Sequence, residues 1–169
     1  MKRIALIATL VLISATPAFA HAGHGIASGF LHPFLGWDHL IAMLAVGAWG
    51  ASLGNRAKWA VPAAFVSAMI VGGAFGMTGI EVPVVETMIL ASVLVLAALA
   101  VARVKLPVWS GMAIVGLFAL AHGYAHGAEI PVGVSAWIFG AGFVVATSLI
   151  HALGAVMALT VMKVRVARA

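Results

Sequence analysis

The 169-residue chain is 64% hydrophobic and only 8% charged, too little polar surface for a water-facing domain, so a bilayer is part of its solvent. Its net charge of +5 does not point to nucleic acid, because the nine Lys and Arg are scattered in twos and threes between apolar stretches. Cysteine is absent, which excludes disulfides, thiolate metal sites and cysteine nucleophiles and leaves any chemistry to seven histidines and four carboxylates.

The first twenty residues read as a cleavable secretory signal. Lys2 and Arg3 form a basic n-region, Ile4 to Ile13 an apolar core too short to span, and Ala18-Phe19-Ala20 a cleavage signal. The mature chain then begins at His21, with His24 three residues on, either a metal-catching arm or a solvated terminus. Five apolar stretches follow, at about residues 32–54, 59–78, 84–102, 108–126 and 135–162, each near the ~20 residues a bilayer requires. The expected fold is therefore an all-α integral membrane protein, one compact bundle of about five transmembrane helices after the signal peptide, in surrounding lipid. Its connections are too short to hold a soluble domain.

The basic residues fall in Arg56/Lys58, Arg103/Lys105 and Lys163/Arg165/Arg168, after the first, third and fifth stretches, while the other turns hold Glu81 and Glu129. The positive-inside rule then predicts a periplasmic mature N-terminus and a cytoplasmic C-terminus in a bacterial inner membrane. Gly50/Gly54, Gly72/Gly76 and Gly123/Gly127 have the spacing that lets helices approach closely in lipid. Packing within the chain is preferred over a homo-oligomer contact.

In that frame the polar residues converge. His32 lies seven residues, about two turns, before His39, so the two can share a helix face beside Asp38. His122, His126 and Glu129 fall at about 0°, 40° and −20° around a helix and form a stripe. The orientation puts both groups, and Glu86 at the start of the third stretch, at one depth on the outer side. An intramembrane carboxylate costs on the order of 2.5–3.5 kcal/mol at mid-depth, and a divalent cation held by His32, Asp38, His39, Glu86, His122, His126 and Glu129 would compensate. Imidazole with carboxylate suits Ni²⁺, Co²⁺ or Zn²⁺, whereas Cu⁺ prefers sulfur and Mg²⁺ oxygen alone. The eight methionines occur mostly singly in apolar runs and read as packing. His151, in the inner half of the last stretch, is either a later station on the path or a packing residue.

At these residues the chain resembles the HupE/UreJ family. The family's H-x5-D-H signature stands as His32, Asp38 and His39, and its F-H-G-x-A/V-H-G-x-E signature as His122-Gly123-Tyr124-Ala125-His126-Gly127-Ala128-Glu129, with Ala121 in place of the first Phe. The resemblance implies a nickel permease, with cobalt as the alternative cargo, associated with hydrogenase or urease, and implies that the seven named residues serve transport. The ion is then substrate, with no permanently bound cofactor. No Walker motif or H-E-x-x-H pairing occurs in the sequence, so neither nucleotide hydrolysis nor zinc-protease chemistry is expected, and the chain is read as a non-enzyme. Two other classes stay open: a metal sensor or assembly factor that binds without transporting, and a haem protein with two histidine ligands such as His39 and His122.

Overall fold

The computed structural model describes residues 25–54 and 56–168, so the signal segment, His21 and His24 lie outside the described residues. Every regular element among the described residues is helical: α1 (Gly25–Leu31), a 3₁₀ turn (His32–Phe34), α2 (Trp37–Leu53), α3 (Ala57–Gly76), α4 (Val85–Ala102), α5 (Val108–Ala128) and α6 (Ala136–Ala167). Helices α3 to α6 are each long and apolar enough to cross a membrane, and α1 with its 3₁₀ turn and α2 make a fifth crossing if taken together. The protein is thus an all-α, multi-pass membrane protein.

The first crossing differs from the uninterrupted helix expected from His32 to Gly54. The chain bends by 81° between the 3₁₀ turn and α2. Pro33, second in the 3₁₀ turn, lacks an N–H that would have no partner there, and Gly36, extended at φ −104° and ψ 115°, breaks the helical path before Trp37. A Cβ at position 36 would lie 2.8 Å from Asp38 Oδ1 and 3.0 Å from His39 Nδ1. A side chain there would have to displace the Asp38–His39 pair from the bend. At the other end α6 runs to Ala167, past the expected stop near Met162, and carries Lys163 and Arg165 in its last turns.

Packing follows the small residues. Helices α3 and α5 form the most extensive contact of the bundle, α2 and α1 lie against α6, and α4 covers α2 and α5. A Cβ on Gly72, Gly76, Gly123 or Gly127 would run into the backbone carbonyl of the facing helix, so α3 and α5 meet backbone to backbone. These glycines pack within the chain. Gly47 and Gly154 join α2 to α6 in the same way. By contrast α3 and α6 meet only slightly, and an apolar groove of about 600 Å³ runs between them, with Gly73, Gly140 and Phe143 in its wall and His126 at its floor.

The basic turns all fall at one end of the bundle. There Trp49 Nε1 donates to the Val104 carbonyl at 2.9 Å and Lys105 Nζ donates to the Ser52 carbonyl, tying the α4–α5 turn to α2. Exposed tryptophans stand within the first three residues of four spanning helices, Trp59 and Trp109 at the basic end and Trp37 and Trp137 at the other. Amphipathic rings at both ends are what two membrane interfaces select.

Candidate functional site

Four of the five described histidines stand toward the end opposite the basic turns. The 3₁₀ turn presents His32, the first turn of α2 presents Asp38 and His39, and the last turns of α5 present His122 and His126, with Glu129 as the helix cap. Their donor atoms form two overlapping triads, His32/His126/Glu129 and His39/His122/His126, each with its atoms within 4.8 Å of one another. His126 belongs to both.

The bend decides which histidine joins which triad. His32 and His39 do not share a helix face as expected, because the chain turns between them. His32 Nε2 instead lies 3.2 Å from Glu129 Oε2 and its ring meets the His126 ring edge-on at 4.9 Å. His39 packs on His126 at 4.4 Å and edge-on against His122 at 4.9 Å. Burial rises along this line: Glu129 is exposed, His32 and His39 are half-buried, His126 is buried and His122 has no exposure. A cavity of about 190 Å³ lined by His32, Gly36, Asp38, His39, His126 and Glu129 gives access from the open end.

Hydrogen bonds fix where the lone pairs point. Asp38 Oδ1 accepts the His39 backbone N–H at 2.8 Å and lies 2.7 Å from His39 Nδ1, so Nδ1 carries the proton and Nε2 keeps its lone pair. Ser92 Oγ, on α4, donates its one proton to the Ile89 carbonyl at 2.6 Å and stands 2.7 Å from His122 Nε2. It must therefore accept from Nε2–H, which leaves the lone pair on Nδ1. His39 Nε2 and His122 Nδ1 are buried without a hydrogen-bond partner among the described residues, as are both nitrogens of His126. Buried polar groups are ordinarily satisfied, so these atoms mark a place for an electron-pair acceptor.

The outer triad is more polar. Glu129 Oε2 stands 3.8 Å from His126 Nδ1, too far for a hydrogen bond but close enough for an ionic approach. The neighbouring His126 and His32 imidazoles hold the Glu129 carboxyl well below the usual carboxylate range, so it is an anion at neutral pH.

Of the seven residues singled out in the sequence, six meet in this constellation. Glu86 joins neither triad and is exposed in the first turn of α4, where a negative charge complements the helix N-terminus. Ser92 was missed by the sequence reading. Its only signal is a lone small polar side chain in the middle of an apolar stretch, which by itself does not distinguish a histidine partner from ordinary helix packing.

The sequence matches the HupE / UreJ protein family over residues 9–168. It is 43% identical over 153 residues to Protein HupE of Rhizobium leguminosarum bv. viciae, covering 88% of this chain and 80% of that protein. No solved structure matches. With similarity running through both histidine motifs and nearly the whole length, the chain belongs to the HupE/UreJ family.

Proposed function

We propose that this protein is a permease that carries Ni²⁺, with Co²⁺ as the alternative cargo, from the periplasm across the bacterial inner membrane to the cytoplasm, where it supplies hydrogenase or urease maturation. Membership of the HupE/UreJ family supports the nickel or cobalt permease role. The observation that carries the reading is the pair of overlapping triads, in which the His39 and His122 imidazoles are held by Asp38 and Ser92 and each keeps one buried, unpaired nitrogen.

A hydrated ion enters the cavity and exchanges part of its water shell for His32, His126 and the Glu129 carboxylate. It passes to His39, His122 and His126, and the shared His126 lets a new bond form before the last old one breaks. Asp38 serves this site through His39, whose tautomer and ring orientation it sets. A mature N-terminus released after Ala20 and basic turns facing the cytoplasm support inward transport. The membrane potential, about 2.3 kcal/mol per charge per 100 mV, drives a divalent cation in that direction. The haem alternative fits the site less well, since His39 and His122 pack edge-on at 4.9 Å and leave no slot for a porphyrin between them.

The test is uptake of radioactive nickel by vesicles that contain this protein alone. Saturable uptake, unaffected by excess Mg²⁺ and competed by Co²⁺, is expected from an imidazole–carboxylate site. Nickel binding without uptake would replace the permease by a sensor or assembly factor.

A further inference from the structure

Deeper in the bundle stand polar atoms that neither triad uses. His151 on α6 is 2% exposed, and neither of its ring nitrogens has a hydrogen-bond partner among the described residues. One turn earlier on the same face, Thr147 has no exposure and an equally unpartnered Oγ1. A helical Ser or Thr ordinarily bonds the carbonyl four residues back. On this helix Ser148 does so to Val144 at 2.7 Å and Thr160 to Val156 at 2.9 Å, but Thr147 does not.

The surroundings fix the position of this pair. Gly47 of α2 packs on the His151 carbonyl and Gly154 on the Leu44 carbonyl, so α2 and α6 meet backbone to backbone at the level of His151. The Phe65 ring touches both sites: its centroid lies 5.8 Å from the His122 ring and 5.1 Å from the His151 ring, edge-on to the latter. His151 also lies two turns, about 12 Å along α6, beyond Phe143, whose ring packs on His126 at 4.3 Å. It is displaced from the triads toward the basic end.

We propose that His151 and Thr147 form a third, inner station for the permeating cation, one aromatic ring from His122. This rests on the permease reading above. One imidazole nitrogen and one neutral hydroxyl oxygen make a weaker site than either triad, each of which offers three donors. A last station suits that chemistry, because conduction needs binding strong enough to accept the ion and weak enough to release it. Its ligand class is again a borderline divalent ion, which accepts neutral imidazole.

The experiment uses the purified full chain in proteoliposomes, with Ni²⁺ and Cd²⁺ as the probes and wild type beside His151→Leu, His151→Cys and Thr147→Val. Leucine fills the site without a donor atom, and cysteine restores a donor that is softer than imidazole. His151→Leu should lower the maximal nickel rate about tenfold or more, the scale seen when metal-site partners are lost, with the half-saturating concentration within about twofold. Thr147→Val should fall between wild type and His151→Leu. His151→Cys should recover part of the rate and raise the Cd²⁺-to-Ni²⁺ rate ratio about tenfold, because a thiolate prefers the softer ion. A wild-type maximal rate in His151→Leu overturns the station. So does an equal loss in His151→Leu and His151→Cys with unchanged ion preference, the behaviour of a packing residue. A wild-type protein that moves no nickel overturns the permease itself, and the station with it.

Discussion

Asp38 and Ser92 impose the same condition on two different imidazoles, each engaging one ring nitrogen and leaving the other bare. Their replacements should therefore be separable from loss of the ligands themselves. Ser92→Ala removes the oxygen that sets the His122 tautomer, and nickel affinity should fall about 10–100-fold with normal membrane abundance, measured by equilibrium binding. Asp38→Asn and Glu129→Gln keep size and hydrogen bonding but not the full charge, so each should lower uptake strongly. Wild-type rates in both would make these carboxylates structural. The pH response follows from Glu129. A carboxyl whose folded pKa is depressed contributes its full stabilisation above its unfolded pKa and loses it progressively as pH falls from there to the lower folded value. Glu129 therefore keeps its charge through mild acid, and any loss of nickel there comes from proton competition at the remaining donors. Nickel binding to the purified protein should weaken on acidification before the fold does, checked by binding and circular dichroism on one pH series.

At the scale of helices, the α3–α5 contact is the least forgiving. Gly123→Val would push a branched side chain into the Met69 carbonyl, and overpacking of this kind costs about 1–3 kcal/mol, so thermal stability in detergent should drop measurably. The five apolar stretches were legible in the sequence because lipid demands long apolar helices with their hydrogen bonds closed internally. The His122/His126/Glu129 stripe was legible because helical periodicity alone puts those side chains on one side of α5. The 81° bend was not, although Pro33 and Gly36 were in view, because whether a Pro/Gly pair kinks or ends a helix depends on what packs there. Ser92 and the partner of each glycine were hidden for a related reason: which helix faces which is a tertiary fact that spacing within one stretch does not carry.

Across the whole molecule, the proposed orientation rests on the three basic segments, since the tryptophans stand at both ends and mark only the two interfaces. A reporter active only in the periplasm should work when fused after Glu129 and fail after Arg168, and the reverse pattern would invert the proposed direction of transport. The glycine seams add a mechanical consequence. Backbone-to-backbone joints have no side chains to flex, so α3 with α5 behaves as one stiff plate and α2 with α6 as another. The six proposed ligating and supporting side chains divide evenly between them: His32, Asp38 and His39 come with the α2–α6 plate, and His122, His126 and Glu129 with the α3–α5 plate. The slight α3–α6 contact, with its apolar groove, is the gap between the plates on one side. A small rocking of one plate on the other would split each triad and shed ligands from the ion together, while every helix kept its shape. On the proposed permease reading, release would then be a hinge movement, with the coordination shell as its latch.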